Sequence, residues 1–472
     1  MIAETVPQKL HWYDYLTINI NWFAITLRTS VLGGLIVPLL VQTYVGESQK
    51  GTYFGTIRLW ALMVALLTQA LIGMFSDRSH SRMGRRRPFI LAGTLLEVVV
   101  IACLIWIAGL RGMTGYAVLF AAYLLSMVLS NFSQAATQGF IPDLVPPERR
   151  GFASGVKTLL EVPLPLVIVG LVVSPMISHG NLGAAIAVTC VTMLACMGLA
   201  MLVKEEPLAT KPEPLDWKPF FSLVLMTAVF TVIILGLGEI VKRLIPVLGQ
   251  ASHLVYGAIG VGAMLLAVVG GVFAALEVHF DKSIRRNRPF VWLVISRLAA
   301  LVAINNLATF LLYFFQEKFS MPTDKAVSLA GLLPMVLGVF ILLFGLVAGW
   351  LCDRFSRKLM SVLAGCIGAA GVGIMVLGNS ITLMYVATGV IGLAYALFSV
   401  ATWALGTDII PQSRAAEFLG LQNLAGAGAG AIGAYIGGTI ADHSGYLLLV
   451  TMFGVMFLLS AVATLFIQVP RK

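Results

Sequence analysis

Five of the charged residues inside the long apolar runs of this chain of 472 residues are candidates for function. Arg28, Glu97, Glu161 and Arg297 fall near the middle of their runs, and Lys157 falls closer to an end. A charged side chain inside a membrane is costly, so it must find an opposite charge, reach water or change its protonation state. We therefore take Arg28 as a candidate for substrate binding and the other four as candidates for proton coupling.

The two deep carboxylates differ in their neighbours along the chain. Lys157 and Glu161 are four residues apart and share one face of a helix, where a nearby cation favours an ionised carboxylate. Glu97 has no basic residue within one turn, so burial favours its neutral form. We predict that Glu97 carries a proton, that Arg28 is its basic partner, and that Glu161 helps to form a binding site. The alternative for Lys157 and Glu161 is a structural pair that only neutralises itself.

Polar side chains in the same runs form a second set of candidates. Asn131, Gln134 and Gln138 are spaced three and four residues apart, so they form one stripe on a helix. Such a stripe either lines a cavity or holds two helices together, and we favour the cavity. The polar residues that we take as substrate-binding candidates beside Arg28 are Gln69, Asn131, Gln134, Gln138, Asn305 and Asn306.

The composition is that of a membrane protein. Hydrophobic residues make up 59% of the chain and charged residues only 11%, whereas soluble domains contain about 25% charged residues. The net charge of +10 could indicate nucleic-acid binding, but most Lys and Arg residues lie in loops that the predicted spans bring to one face. The five cysteines include no Cys-x-x-Cys pair, and we predict no disulfide framework, metal site or cofactor.

Fourteen apolar runs are long enough to cross a bilayer, which takes about 20 helical residues. An even number places both termini on one side, which we predict to be the cytoplasmic side of an inner or plasma membrane. No cleavable signal peptide is predicted, because the first run is too long for a signal core. The predicted spans are 15–43, 54–76, 88–110, 115–140, 152–177, 182–203, 220–241, 253–277, 290–315, 327–350, 359–379, 381–407, 416–440 and 445–467.

The basic loop between the second and third runs is the most distinctive stretch. Between Gly73 and Pro88 it holds five arginines and one aspartate, Asp77. Cytoplasmic loops carry an excess of Lys and Arg, so this loop is predicted to be cytoplasmic. We expect Gly84 to form a turn and Gly73 to let a neighbouring helix approach closely. We expect Asp77 to cap or face the positive end of a neighbouring helix.

The order of residues in this loop resembles a known signature. The sequence Ser-Asp-Arg-x-x-Ser-Arg-x-Gly-Arg-Arg-Arg-Pro-Phe-Ile, at 76–90, resembles the loop after the second helix of major facilitator superfamily transporters. Within that superfamily it is most similar to the sucrose–proton symporter branch, near the glycoside–cation symporters. The segment from Asn131 to Leu144 resembles the fourth span of that branch but departs at Gln138, where the branch usually has arginine. The missing charge bears on both the substrate and the coupling.

The basic loop has a counterpart later in the chain. Asp353 and Arg354 follow a glycine at the same spacing as Asp77 does, and Asp143 and Asp408 are each followed by Pro and Arg three and six residues later. Two landmarks in the same order indicate two related halves. The residues predicted to form gates are Gly73, Asp77, Arg78, Gly84, Arg85, Arg86, Arg87, Asp143, Asp353, Arg354 and Asp408.

We predict an all-α integral membrane protein with the major facilitator fold, in which two extra helices are inserted between two six-helix halves. The predicted parts are a first half at 1–203, a cytoplasmic linker at 204–218, an inserted helix pair at 219–280 and a second half at 281–472. The resemblance implies a monomeric secondary transporter that moves a small neutral glycoside-like solute, together with a proton, by alternating access. The competing hypothesis is a pigment-delivery or membrane-complex assembly protein of the same fold, which would explain Gln138. No enzymatic activity is predicted, because the chain contains no catalytic constellation.

Overall fold

The computed structural model describes residues 10–205, 215–249, 252–279, 287–409 and 415–468, with the side chains of 407 and 415–425 left out. Within these ranges the regular elements are helices and none is a strand. Two π-helical turns, Leu32–Ile36 and Val169–Val173, and one 3-10 turn, Pro147–Arg149, interrupt the α-helices. The α-helices are α1 (Trp12–Val31), α2 (Val37–Val45), α3 (Lys50–Ser76), α4 (Arg87–Ile107), α5 (Gly112–Gln138), α6 (Phe140–Leu144), α7 (Arg150–Glu161), α8 (Pro163–Ile168), α9 (Ser174–Ser178), α10 (Leu182–Ala200), α11 (Lys218–Leu248), α12 (His253–His279), α13 (Arg288–Leu307), α14 (Leu311–Lys318), α15 (Thr323–Arg354), α16 (Arg357–Leu377), α17 (Ile381–Ile409), α18 (Ala415–Ser444) and α19 (Tyr446–Leu465).

Thirteen spans in the described ranges are long and apolar enough to cross a membrane, and each coincides with one predicted span. The remaining predicted span, 416–440, coincides with α18, whose first side chains lie outside the described residues. The predicted all-α membrane fold is therefore confirmed. The boundaries drawn between its parts stay predictions, and residues 206–214 of the linker lie outside the described ranges.

The helix bundle has two ends. We call the end that carries loop 77–86 and turn 355–356 the charged face, and the end that carries turns 46–49 and 319–322 the opposite face. Helices α3 and α15 both run from the opposite face to the charged face.

Two spans of the first half are irregular at corresponding places. The π-helical turn Leu32–Ile36 separates α1 from α2, and the turn Val169–Val173 separates α8 from α9. A proline stands two residues after each turn, Pro38 in one span and Pro175 in the other. Proline lacks the N–H that a regular helix requires, so it favours a local change of hydrogen bonding in the preceding turn.

Small residues bring helices of the two halves into close contact. Helix α3 packs along α18, where Gly51 faces Gly438 and Gly55 faces Ala434. A Cβ on either α3 glycine would overlap the facing backbone, so these positions require glycine. Helices α11 and α12, the predicted inserted pair, also pack on α18. The glycine-rich sequence of α18 therefore serves helix packing.

Candidate functional site

Arg28 on α1 and Glu97 on α4 form an ion pair inside the first half. The Arg28 Nε lies 2.5 Å from a carboxylate oxygen of Glu97, and the two side chains are 1% and 3% exposed. The hydroxyl of Ser126 links them, because it accepts from Arg28 Nη2 at 2.5 Å and donates to Glu97 Oε1 at 3.0 Å. Arg28 is thus the partner that the sequence suggests for Glu97. Its predicted role in substrate binding stays a prediction, and in this conformation the Arg28 side chain is buried against Glu97.

Lys157 and Glu161 form a second pair, which is accessible. The Lys157 Nζ lies 3.5 Å from the Glu161 carboxylate, and the side chains are 29% and 34% exposed. The same Nζ lies 3.9 Å from the centroid of the Trp22 ring on α1. Helix α7 ends at Glu161 because Pro163 begins α8, so the carboxylate stands where the span is broken.

Arg297 on α13 is a cation inside a span of the second half, as Arg28 on α1 is in the first half. Its Nη1 donates to the Thr402 hydroxyl at 2.8 Å, and its Cζ lies 5.5 Å from the centroid of the Trp403 ring. Its Nε is buried and donates to no described group. No carboxylate of the described residues forms an ion pair with Arg297.

The halves touch at the break in the span of Glu161. A Cβ on Gly338 of α15 would lie 3.4 Å from the Cα of Pro163. One residue earlier on α15, the carbonyl oxygen of Leu337 would lie 3.1 Å from a Cβ on Gly392 of α17. Helix α15 therefore packs on the broken span of the first half and on α17 of its own half, and we call the broken span and α17 the first and second walls of the space between the halves.

The accessible charges line this space toward the charged face. Lys157 and Glu161 precede the break on the first wall. Tyr395 follows Gly392 by about one turn on the second wall and is half-buried. The charges of both Glu161 and Arg297 act on the Tyr395 hydroxyl, so the three side chains share one electrostatic environment.

The residues of the predicted polar stripe on α5 differ in how deeply they are buried. Asn131 is buried, and its amide donates to the carbonyl of Met127 in the same helix at 2.7 Å. Gln134 is half-buried and Gln138 is exposed. The stripe is therefore exposed at Gln138, partly exposed at Gln134 and buried at Asn131, and its role in substrate binding stays a prediction.

A neighbouring set of polar residues, which the sequence reasoning missed, holds α1 against α5. The amide of Asn21 donates to the hydroxyls of Ser133 and Thr137, both at 2.7 Å. All three side chains are buried. Ser133 and Thr137 are four residues apart on α5, so the sequence places them on one face of that helix. It does not identify Asn21 on α1 as their partner.

Asn305 and Asn306 tie α13 to α18. The amide of Asn306 donates to the carbonyls of Val302 at 2.8 Å and Ala429 at 3.2 Å, and Asn305 donates to that of Gly426 at 3.1 Å. Asn306 is fully buried between these helices, and its predicted role in substrate binding stays a prediction. Gln69 is half-buried on α3 and stays a prediction.

Arg86 organises the charged face of the first half. Its guanidinium lies 2.5 Å from the carboxylate of Asp77 and 3.0 Å from that of Asp143, and it donates to the Ser76 hydroxyl at 3.2 Å. Arg85 also pairs with Asp143. Two carboxylates thus bind one buried guanidinium, which connects the loop after α3 to α6.

The remaining predicted gate residues of this loop take other positions. The Arg78 guanidinium donates to the carbonyl of Met74 at 3.2 Å, and Arg87 is the first residue of α4. The close approach expected at Gly73 is absent, since a Cβ there would meet no atom within 4 Å. The reason is that the last turn of α3 presents this residue to open space.

Glu205, at the start of the predicted linker, caps α4. Its carboxylate accepts from the N–H of Arg86 at 2.9 Å and from that of Arg87 at 3.2 Å. Gly84 has φ +100°, and a Cβ there would lie 2.5 Å from Glu205 Oε2. The turn expected at Gly84 is therefore present, but the helix cap is Glu205 and not Asp77.

Glu205 occupies an unusual environment for a linker carboxylate. Burial raises the pKa of Glu205, and the hydrogen bonds from the Arg86 and Arg87 amides oppose the rise. The sequence reasoning missed this residue because 119 residues separate it from Arg86.

The second half repeats part of the charged network. Arg357, the first residue of α16, lies 2.8 Å from the Asp408 carboxylate and donates to the carbonyl of Ala404 at 3.1 Å. Asp408 corresponds to Asp143 in the internal repeat. In each half the second aspartate of the repeat therefore pairs with an arginine at the start of a helix, as Arg86 does in the first.

The other repeat residues of the second half are exposed. Asp353 faces solvent, and the Cζ of Arg354 lies 5.3 Å from the centroid of the Trp350 ring. A cleft of about 710 Å³ beside them is lined by Cys352, Asp353 and Asp408, among others. No group of three or more His, Cys, Asp or Glu side chains that could hold a metal ion occurs in the described part of the chain.

On the opposite face a carboxylate of the second half caps a helix of the first. Asp442, near the end of α18, accepts from the N–H groups of Gly51 and Thr52, both at 2.7 Å. The neighbouring Lys50 donates to the side chain of Gln316 at 2.9 Å. An anion at a helix N-terminus is stabilised by the free N–H groups and the helix dipole, so this contact fastens α3 to α18.

Two further hydrogen bonds join the halves near the same face. The Tyr313 hydroxyl donates to the carbonyl of Pro38 at 2.6 Å. The Ser174 hydroxyl donates to the carbonyl of Val327 at 2.9 Å. Side chains of both halves therefore take part in closing the opposite face.

Comparison with known proteins agrees with this architecture. The family model described as Major Facilitator Superfamily matches residues 19–434 and 304–472. A peptide transporter POT in complex with sulfate superposes with a TM-score of 0.67 at 14% identity, covering 98% of this chain and 96% of that chain. A D-xylose–proton symporter superposes with a TM-score of 0.64 at 16% identity, covering 96% and 97%. At such identities the superpositions show a shared fold.

One curated relative is similar in sequence. The lysosomal dipeptide transporter MFSD1 of Mus musculus is 27% identical over 160 residues. The match covers 34% of this chain and 33% of that protein, so it spans about a third of the relative's length.

Proposed function

The chain belongs to the Major Facilitator Superfamily and is a membrane transporter, and we propose that it is a secondary active transporter that works by alternating access. In this mode two halves expose one solute site to each side of the membrane in turn. The proposed site lies between the halves at Glu161, Lys157 and Arg297.

The observation that carries the proposal is the one-sided fastening of the halves. Asp442, Tyr313 and Ser174 make hydrogen bonds between them near the opposite face. Near the charged face, Arg86 and Arg357 pair with carboxylates of their own half. This arrangement supports a state that is closed at the opposite face and open at the charged face. The excess of arginine supports a cytoplasmic charged face, and with that orientation the proposed state is inward-open.

Proton coupling is proposed to use the pair of Arg28 and Glu97. While the guanidinium is in contact, its charge favours the ionised form of Glu97. A shift of α1 against α4 that accompanies the rocking of the halves would separate the two groups and leave a buried carboxylate without its cation, which favours uptake of a proton. The same movement then links proton binding to the exposure of the solute site.

Two solute classes are proposed for the first tests. A neutral glycoside-like solute is implied by the basic loop. A peptide-like solute is the second candidate, because the chain is similar over part of its length to a dipeptide transporter.

The test uses the purified full-length protein in sealed vesicles. Labelled sucrose, methyl glucoside and alanyl-alanine are offered with and without an imposed pH gradient. We expect at least one of them to accumulate above its equilibrium level with the gradient and to lose that accumulation when a protonophore is added. If none is transported or exchanged, and the protein instead retains pigment from a membrane extract, the transport proposal fails in favour of the assembly alternative.

A further inference from the structure

Arg297 is a cation in the membrane interior that lacks a counter-ion in the described part of the chain. An isolated charge in a medium of low polarity is costly. The single hydrogen bond to neutral Thr402 and the contact with the Trp403 ring offset only part of that cost. The buried Nε donates to nothing described, so the hydrogen-bonding capacity of the guanidinium is not fully used.

Arg28 shows how an arginine with a counter-ion is arranged in the same bundle. It has a carboxylate at 2.5 Å and a hydroxyl at 2.5 Å, and it is 1% exposed. Arg297 has the hydroxyl without the carboxylate. The difference is one negative charge at one edge of the guanidinium.

The acid on the facing wall of the space between the halves does not supply that charge. Glu161 is already paired with Lys157 at 3.5 Å. Taken together, the charges of Lys157, Glu161 and Arg297 therefore sum to one positive charge. An anionic group of a bound solute would balance it.

The surroundings favour an organic acid over a bare inorganic anion. A guanidinium has a planar fork of donors that matches the two oxygens of a carboxylate. The Trp403 ring, which is 45% exposed and lies beside Arg297, offers apolar surface to the carbon skeleton of a solute.

We infer that the transported solute carries a carboxylate and that Arg297 binds it. This inference rests on the proposed transport function and changes one property of the solute, its charge. Glu161 and Lys157 then remain to bind the polar groups at the other end of the solute.

The experiment compares solutes that differ only in this charge. The full-length protein is tested with alanyl-alanine and alanyl-alanine amide, with glucuronate and its amide, and with lactate and lactamide. Binding is measured by the shift in unfolding temperature, and transport by exchange in vesicles. We expect the carboxylate of at least one pair to bind about tenfold or more tightly than its amide, as loss of a charged hydrogen-bonded partner predicts.

Variants assign the effect to Arg297. Arg297→Gln should abolish the preference for the carboxylate, and Arg297→Lys should retain part of it. Arg243→Gln is the control, because Arg243 is 80% exposed on α11 and pairs with Glu239 in the same helix. If Arg297→Gln does not fold, the ratio measured on the natural protein still decides.

The possible failures are distinct. Equal transport of the amides and the carboxylates, or a preference that persists in Arg297→Gln, overturns the inference and leaves the transport proposal standing. Binding of inorganic sulfate that depends on Arg297, without binding of any organic carboxylate, overturns it as well. Absence of exchange for every solute of both panels overturns the proposed function itself.

Discussion

The carboxylate of Asp442 accepts a hydrogen bond from the N–H of Gly51 at 2.7 Å, so the end of α18 in one half fixes the start of α3 in the other. Gly51 is in the first turn of its helix, where the N–H groups have no partner within the helix. The contact is therefore a point at which opening of the opposite face must break a charge-assisted hydrogen bond.

Asp442→Asn should increase the time that the opposite face is open. An amide keeps the shape but loses the charge, which weakens the cap by a factor of about ten. In a cysteine-free background, a cysteine at Ser328 should react faster with an impermeant maleimide added at the opposite face. Glu47→Gln is the control, because Glu47 is 72% exposed on the same face. Equal labelling rates in Asp442→Asn and in the unmodified background would show that Asp442 does not hold this face closed.

Glu97→Gln should uncouple transport from protons. The amide mimics the protonated acid permanently, so accumulation driven by a pH gradient should be lost while exchange of solute continues. Substrate-induced proton uptake in vesicles measures the effect directly. Normal proton uptake with full accumulation would remove Glu97 from the mechanism and transfer the role to Glu161.

Asp77→Asn should slow transport and leave binding almost unchanged. Asp77 is 52% exposed, and Arg86 keeps its contact with Asp143 when the Asp77 charge is removed, so the loop should stay folded. The expected change in turnover is severalfold, as for a partly exposed ion pair worth about 1 kcal/mol. Binding and turnover are measured separately, and a collapse of affinity with unchanged turnover of bound solute would contradict a gating role.

Glu205→Gln should flatten the dependence of stability on pH. Because burial raises the pKa of Glu205 above the ordinary value of 4.5, the folded protein binds this proton more tightly than the unfolded chain does. The contribution of Glu205 is therefore largest at low pH and is lost as the pH rises through the raised pKa. The apparent unfolding temperature is measured from pH 4.5 upward.

Glu148→Gln, at an exposed position, is the matched control for that experiment. Its profile should follow that of the natural protein. A profile of Glu205→Gln that keeps the full pH dependence would contradict the assignment.

The spans and the deep charges could be predicted from the sequence because both are local properties. The length of an apolar run can be counted directly from the sequence, and a charged residue such as Glu97 is easily recognised within it. The partner Arg28 could be suggested because few basic residues lie at the same depth.

The contacts between distant parts of the chain could not be predicted in this way. Asp442 is 391 residues from Gly51, and no pattern along the chain connects them. A polar residue inside an apolar span, such as Asn306, could line a cavity or lie between two helices. Only the packing of α18 against Asn306 shows that its amide lies between helices. Gly73 lies one turn before Asp77, where a close approach of another helix was expected. Whether a helix packs there depends on the arrangement of the spans in space, which the sequence does not give.

The two π-helical turns have a consequence for chain length. A π-helical turn holds one residue more than an α-helical turn, so deleting one residue from Val169–Val173 restores a regular helix and leaves the rotational phase of the residues after it almost unchanged. Ser174 would then still face the Val327 carbonyl. A deletion in Leu32–Ile36 should leave the Pro38 carbonyl facing Tyr313 in the same manner. At these two places the first half can lose one residue and still meet the second half in the same rotational phase, whereas a deletion in a regular turn of either span would rotate the residues after it by about 100°.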